Sequence, residues 1–134
     1  MFSNADFSEV QVFSLRHHGG GLALSDHFIL KEFACSDGSD IVLVHPLLVV
    51  LLEEIRREAG TVLRINSAYR SHLYNKSIGG KSKSVHLWGM AADIVSPTVP
   101  PSGIASICDD LDIGGLGVYS NFVHADIFGS FRRW

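Results

Sequence analysis

The chain has 134 residues, 46% of them hydrophobic, and a formal net charge of −3. This is the length of one domain, with enough apolar material to bury a core. The mildly acidic balance and scattered Lys and Arg exclude a surface built mainly for nucleic acid, which usually carries a basic stripe.

In chain order, Met1–Asp6 has neither a basic start nor an apolar run, so it does not read as a secretory signal. Residues 1–24 are weakly patterned and run into His17-His18 and Gly19-Gly20-Gly21, read as exposed histidines and a flexible loop. The domain proper is expected over residues 25–134. Phe28, Ile29, Leu30 and Phe33 read as a short segment packed on the core, and Cys35–Asp40 as a turn. Cys35 and Cys108 are not a CxxC pair and read as free, buried thiols.

The spacing of Leu47, Leu48, Leu51, Leu52 and Ile55 predicts a helix over 46–59, with Pro46 in its first turn and Gly60 as its stop. Its apolar run, Leu47–Leu52, is far too short to span a bilayer. Thr61–Ile65 alternates as a strand, and a short helix is expected within Ser71–Lys76, broken by Gly79-Gly80. Met90–Val95 reads as a buried strand and Ser102–Leu111 as a helix. Gly115–Tyr119 and Phe122–Phe128 read as a hairpin across Ser120-Asn121, and Arg132-Arg133 as a solvated tail. These elements predict a small α+β domain with a mainly antiparallel sheet and helices packed on it.

Three histidine- and carboxylate-bearing positions draw attention. His86 and Asp93 are seven residues apart. That separation is about 23 Å in a strand and about 10 Å in a helix, whereas zinc ligands sit about 2 Å from the ion. The two can share a metal only if the chain folds back between them, and Gly89 permits such a turn. His124 offers a third ligand from another strand, with Asp126 on the same face. Two His and one carboxylate leave a fourth zinc position open, as catalytic sites do. Taken alone, these histidines also fit satisfied core or surface residues. His45 reads as a loop residue before the helix, His72 as a residue close to Arg70 that lies outside the cleft or, as the lesser alternative, borders it, and Trp88 and Trp134 as packing residues, with Trp88 also a candidate pocket wall.

Ser84, His86, Gly89, Ala91 and Asp93 match the SxHxxGxAxD pattern of the zinc D-Ala-D-Ala peptidases. Ser67-Ala68-Tyr69-Arg70-Ser71 resembles that family's S-[GA]-Y-R-S segment, and Asn75 with Gly79-Gly80 its N-x-x-x-G-G loop. Phe122-Val123-His124-Ala125-Asp126 resembles the F-V-H-x-D strand of the short, phage- and prophage-type branch, and the His27–Cys35 stretch is similar to that branch's N-terminal part. The likeness covers residues 25–134 as a metallopeptidase-like domain. The wider superfamily includes lysostaphin-type endopeptidases and the hedgehog signalling domain.

The resemblance implies Zn²⁺ held by His86, Asp93 and His124, with Arg70 facing a substrate carboxylate or the developing oxyanion. It implies that Ser84 holds the His86 loop or touches substrate, and that Tyr69 lines the site or packs behind it. Several family members carry a Glu three residues before the last His ligand as general base; here Asn121 stands there and cannot take a proton. Asp126 is the substitute candidate, either as base or as a partner that orients a ligand. The implied activity is zinc-dependent hydrolysis of peptidoglycan stem peptides, of carboxypeptidase or endopeptidase type, in cell-wall turnover or phage lysis. The alternative is a non-catalytic, metal-stabilised wall-binding or virion module of the same fold. The expected partner is wall peptide, with no nucleic acid or membrane, and the chain is expected to be monomeric. It is expected to be made in the cytoplasm without a signal peptide and to reach the wall through another factor.

Overall fold

A computed structural model describes residues 1–134. Its strands and helices are β1 (Gln11–Ser14), α1 (Leu15–His18), β2 (Ile41–Val44), α2 (Pro46–Ala59), β3 (Arg64–Ser67), α3 (His72–Ser77), β4 (Ala91–Val95), α4 (Pro101–Asp110), β5 (Gly115–Val118), β6 (Val123–Asp126) and β7 (Arg132–Arg133). One five-stranded sheet has the order β3-β4-β6-β5-β7, antiparallel except for the β5–β7 pair; β1 and β2 form a separate antiparallel ribbon. The fold is α+β with a mainly antiparallel sheet, as the sequence pattern predicts. No helix is long and apolar enough to cross a membrane.

Helix α2 occupies the predicted 46–59, and its ends show why. His45 Nδ1 accepts the Leu47 N–H at 3.0 Å, and Pro46 fills a first-turn position that needs no donor. Gly60 closes the helix in the left-handed region at φ 66°. Leu48, Leu51, Leu52 and Ile55 are buried, and with Ile104 and Cys108 of α4 they join a single core. Each such side chain contributes about 1.5–3 kcal/mol when fully buried. That core covers one face of the sheet through Ala92, Ile94, Val123 and Ala125.

Residues 1–24 carry more structure than their weak pattern announces. Phe2 lies in the core, β1 pairs with β2, and the Asn4 and Ala5 N–H groups donate to the Gly129 and Ile127 carbonyls. The strand read over 61–65 is displaced to 64–67, because the chain must first leave the Gly60 cap and the ladder slips at a bulge between Ile65 and Ser67. The solvated-tail reading of Arg132-Arg133 is corrected. These residues form β7, and Arg133 donates to Asp109 at 2.9 Å and to the Gly114 carbonyl at 2.8 Å.

Candidate metal centre

The second face of the sheet builds the site. Residues paired across antiparallel strands share a face, and the register places Ser67, Asp93, His124 and Gly117 in one row across β3, β4, β6 and β5. The next row holds Ala91, Asp126 and Gly115. Asp93 and His124 are therefore brought together by strand register alone.

His86 arrives from a loop. Ser84 opens a tight helical turn over Val85–Trp88 by accepting the His86 N–H at 3.3 Å, and Gly89 ends it at φ 70°. A Cβ on Gly89 would overlap the Leu43 carbonyl, so glycine is demanded both by conformation and by space. This is the reversal that the His86–Asp93 spacing requires. The Arg70 N–H, donating to the His86 carbonyl at 3.1 Å, ties the turn to the segment after β3.

His86 Nε2 and His124 Nδ1 each lie 3.2 Å from Asp93 Oδ1. The three ligand atoms all lie within 4.8 Å of one another, so the group could hold a metal ion. The donor chemistry fits: a tetrahedral site with bonds of about 2.0–2.1 Å has edges of about 3.3 Å, close to the two measured separations. Two imidazoles and a carboxylate suit zinc and its transition-metal neighbours rather than Mg²⁺ or Ca²⁺. All three residues are buried.

Each imidazole is fixed from behind. His86 Nδ1 is 2.7 Å from the Ala68 carbonyl, which can only accept, so Nδ1 carries the hydrogen and Nε2 keeps its lone pair. His124 Nε2 is 2.7 Å from Asp126 Oδ2, so Nε2–H donates there and Nδ1 faces Asp93. Asp126 is fully buried, and its Oδ1 accepts from the Gly115 N–H at 2.9 Å, the Phe128 N–H at 3.0 Å and Arg132 Nη2 at 2.5 Å. Burial pushes the Asp93 carboxyl up, but without metal the protonated imidazoles of His124 and His86 outweigh it and hold it well below the usual carboxylate range. Burial likewise works against the Asp126 charge, and the contacts from His124 and Arg132 win. Burial lowers the His124 pKa, but Asp126 and then Asp93 raise it more.

Arg70 donates to Ser67 Oγ at 3.1 Å, Asn75 Oδ1 at 3.3 Å and Asp93 Oδ2 at 3.2 Å. Asn75 in turn donates to the Lys81 carbonyl at 2.8 Å, and a Cβ on Gly80 would overlap its amide. The Asn75–Gly80 spacing noted in the sequence thus builds a bracket for Arg70.

A cavity of about 620 Å³ opens over these groups. Arg70, Ser84, His86, Asp93, His124 and Asp126 line it. Tyr69 does not; it is partly buried and packs against the core. Asn121 lies at the hairpin turn away from the cavity, His72 is exposed outside it, and Trp88 packs edge-on against Phe7. Sequence reasoning missed Lys81, Lys83, Tyr119, Phe122 and Arg132, which also line it, and treated Trp134 as packing although it walls the cavity 5.1 Å from the His124 ring. The signal for Trp134 was Gly117, where a Cβ would overlap the indole.

A family model described as Peptidase M15 matches residues 24–126. No curated protein matches the chain.

Proposed function

We propose, from the premise that this chain belongs to the peptidase M15 family, that it is a zinc-dependent peptidase of peptidoglycan stem peptides, of D-Ala-D-Ala carboxypeptidase or endopeptidase type. It acts in cell-wall turnover or phage lysis. The observation that carries the reading is the His86, Asp93 and His124 donor set, fixed from behind on both imidazoles and bordering a cavity large enough for a peptide segment.

Zinc bound there would supply Lewis acidity, lowering the pKa of water and polarising a carbonyl. The chain's own residues do the rest. Arg70 uses three of its five N–H donors on Ser67, Asn75 and Asp93, which leaves two for a substrate carboxylate or an oxyanion. It positions the Asp93 carboxylate at the same time. Ser84 holds the His86 turn at the cavity's edge. Asp126 orients His124. Its Oδ1 accepts from three donors and its Oδ2 is turned to the imidazole, which supports the orienting role over that of a base. Lys81 and Lys83 add positive charge to the wall, which favours substrates bearing carboxylates.

The second reading is a non-catalytic, metal-stabilised wall-binding module. It is favoured by the absence of any cavity carboxylate beyond Asp93 and Asp126, with Asn121 turned elsewhere. Turnover separates the two. Zinc-loaded protein is expected to release D-Ala or cut cross-links from purified muropeptides, and His86→Ala to abolish this. One equivalent of bound zinc with muropeptides left intact refutes the peptidase reading and supports the binding module.

A further inference from the structure

The family match ends at Asp126, yet the segment after it reaches back to the metal centre. Arg132 on β7 approaches Asp126 from the side opposite His124, with Nη2 at 2.5 Å from Oδ1 and also 2.5 Å from the Phe128 carbonyl. Its guanidinium carbon lies 5.5 Å from the centre of the Phe128 ring, which adds a second constraint on its plane. Two features indicate that this arrangement serves more than folding. First, Gly115 lies across the ladder from both Asp126 and Arg132, and a Cβ there would overlap the Asp126 carboxylate and the guanidinium. The strand gives up a side chain to let the pair meet. Second, Arg132 Nε is buried without a partner, a cost that a solvent-facing arginine would not carry.

We propose that Arg132 is a positioning residue of the metal centre, setting the orientation and tautomer of His124 through Asp126. The inference rests on the metal-centre reading above. Its physical content is a chain of three links. Arg132 donates to Asp126 Oδ1 and, with the two backbone donors there, fixes the rotation of the carboxylate. With three donors gathered on Oδ1, Oδ2 is the oxygen turned to the imidazole, and it accepts from His124 Nε2. His124 Nδ1 is then left as a lone pair aimed at Asp93 and the metal position. Without Arg132, the Asp126 carboxylate keeps its two backbone donors but loses the side-chain donor that sets its plane, and the imidazole loses its fixed partner geometry.

The test is metal binding by the full chain, read without any turnover. Metal-free wild type, Arg132→Ala, Arg132→Lys and Arg133→Ala are titrated with cobalt(II) and their visible absorption bands recorded; zinc affinity follows by competition against a chromophoric chelator. Arg133 is tied to the same strand through Asp109 and Gly114 and does not touch Asp126, so it controls for loosening of β7. Wild type is expected to take one equivalent. Arg132→Ala is expected to lose on the order of 10–100-fold in affinity, the usual effect of removing an outer partner of a ligand. Its cobalt bands should change shape, and added methylguanidinium should restore them in part. Arg132→Lys should fall between, since a point charge lacks the planar fork, and it keeps the test alive if the alanine variant folds poorly. Arg133→Ala should match wild type. Equal affinity and unchanged bands in both Arg132 variants overturn the proposal and leave the metal centre standing. So does an equal loss in Arg133→Ala. A wild type that binds no metal overturns the metal-centre reading itself, and this inference with it.

Discussion

Gly89→Ala is the sharpest perturbation the site offers, because one methyl group meets two separate obstacles. At φ 70° the residue sits in the left-handed region, where an L side chain costs roughly 1–2 kcal/mol. The added Cβ would also overlap the Leu43 carbonyl and crowd the Val44 nitrogen, which are backbone atoms of β2 and cannot rotate away. Forced overpacking of this kind costs typically about 1–3 kcal/mol. The sum is about 2–5 kcal/mol, which for a domain of this size lowers Tm by roughly 6–25 °C. Gly38→Ala isolates the first term. Its φ is 81° and nothing lies within 4 Å of the new Cβ, so only the conformational cost should remain, about 1–2 kcal/mol. Thermal and urea unfolding of both variants in chelator, then with zinc, gives the comparison. Gly89→Ala should be the less stable by the overlap cost, and its zinc-induced stabilisation should shrink because His86 lies on the turn that Gly89 ends. If the two variants unfold alike, the close approach of β2 to the His86 turn does not hold the site.

The remaining predictions concern charge and access. Asp93 and Asp126 have depressed pKa values, so their contribution is present above the ordinary value of about 3.9 and lost as pH falls through their folded values. His124 is raised, so its contribution is present below about 6.5 and lost as pH rises through its folded value. Without metal these groups stabilise most between about pH 4 and 6.5; metal requires neutral imidazole, so the Tm increment from zinc should grow above that window, and a flat increment from pH 5.5 to 8 would refute the ligand assignment. Burial pushes the Cys108 thiol up to about 12, so iodoacetamide at pH 8 should modify it only on unfolding, and rapid native labelling read by mass spectrometry would contradict its packing against α2 and the sheet. Lys81→Glu with Lys83→Glu should raise KM for carboxylate-rich muropeptides several-fold, more at low salt, with little change in zinc content; an unchanged KM would remove these lysines from substrate selection.

Elements with strong local signals were legible in the sequence. The 46–59 helix carries its periodicity, its proline start and its glycine stop within the segment itself, and the structure follows all three. The β5–β6 hairpin lies where the turn residues put it. Strands β1, β2 and β7 were not legible, because four or fewer residues pair through partners distant in the chain and their local pattern carries no period. The residues of the His86, Asp93 and His124 cluster were legible through residue type and motif, and the need for a turn at Gly89 followed from distance alone. What lay behind the ligands was not. Ala68 serves His86 through its carbonyl, which any residue could supply, and Arg132 serves Asp126 from a strand that looked like a tail.

That difference has a structural origin in the sheet. Period two along β6 puts His124 and Asp126 on one face, and the antiparallel register sets them opposite Asp93 and Ala91 on β4 and opposite Gly117 and Gly115 on β5. Each chemical residue thus has a small neighbour beside it, and residues 132–134 fill the space: Arg132 of β7 over Gly115, and Trp134, just past β7, over Gly117. The space that the glycines leave is what lets β7 and the residue after it deliver a guanidinium and an aromatic wall to a centre built mostly upstream of them. A substitution at Gly115 or Gly117 would therefore act on the candidate metal site without touching His86, Asp93 or His124, by displacing the Arg132 or Trp134 side chain that the glycine admits.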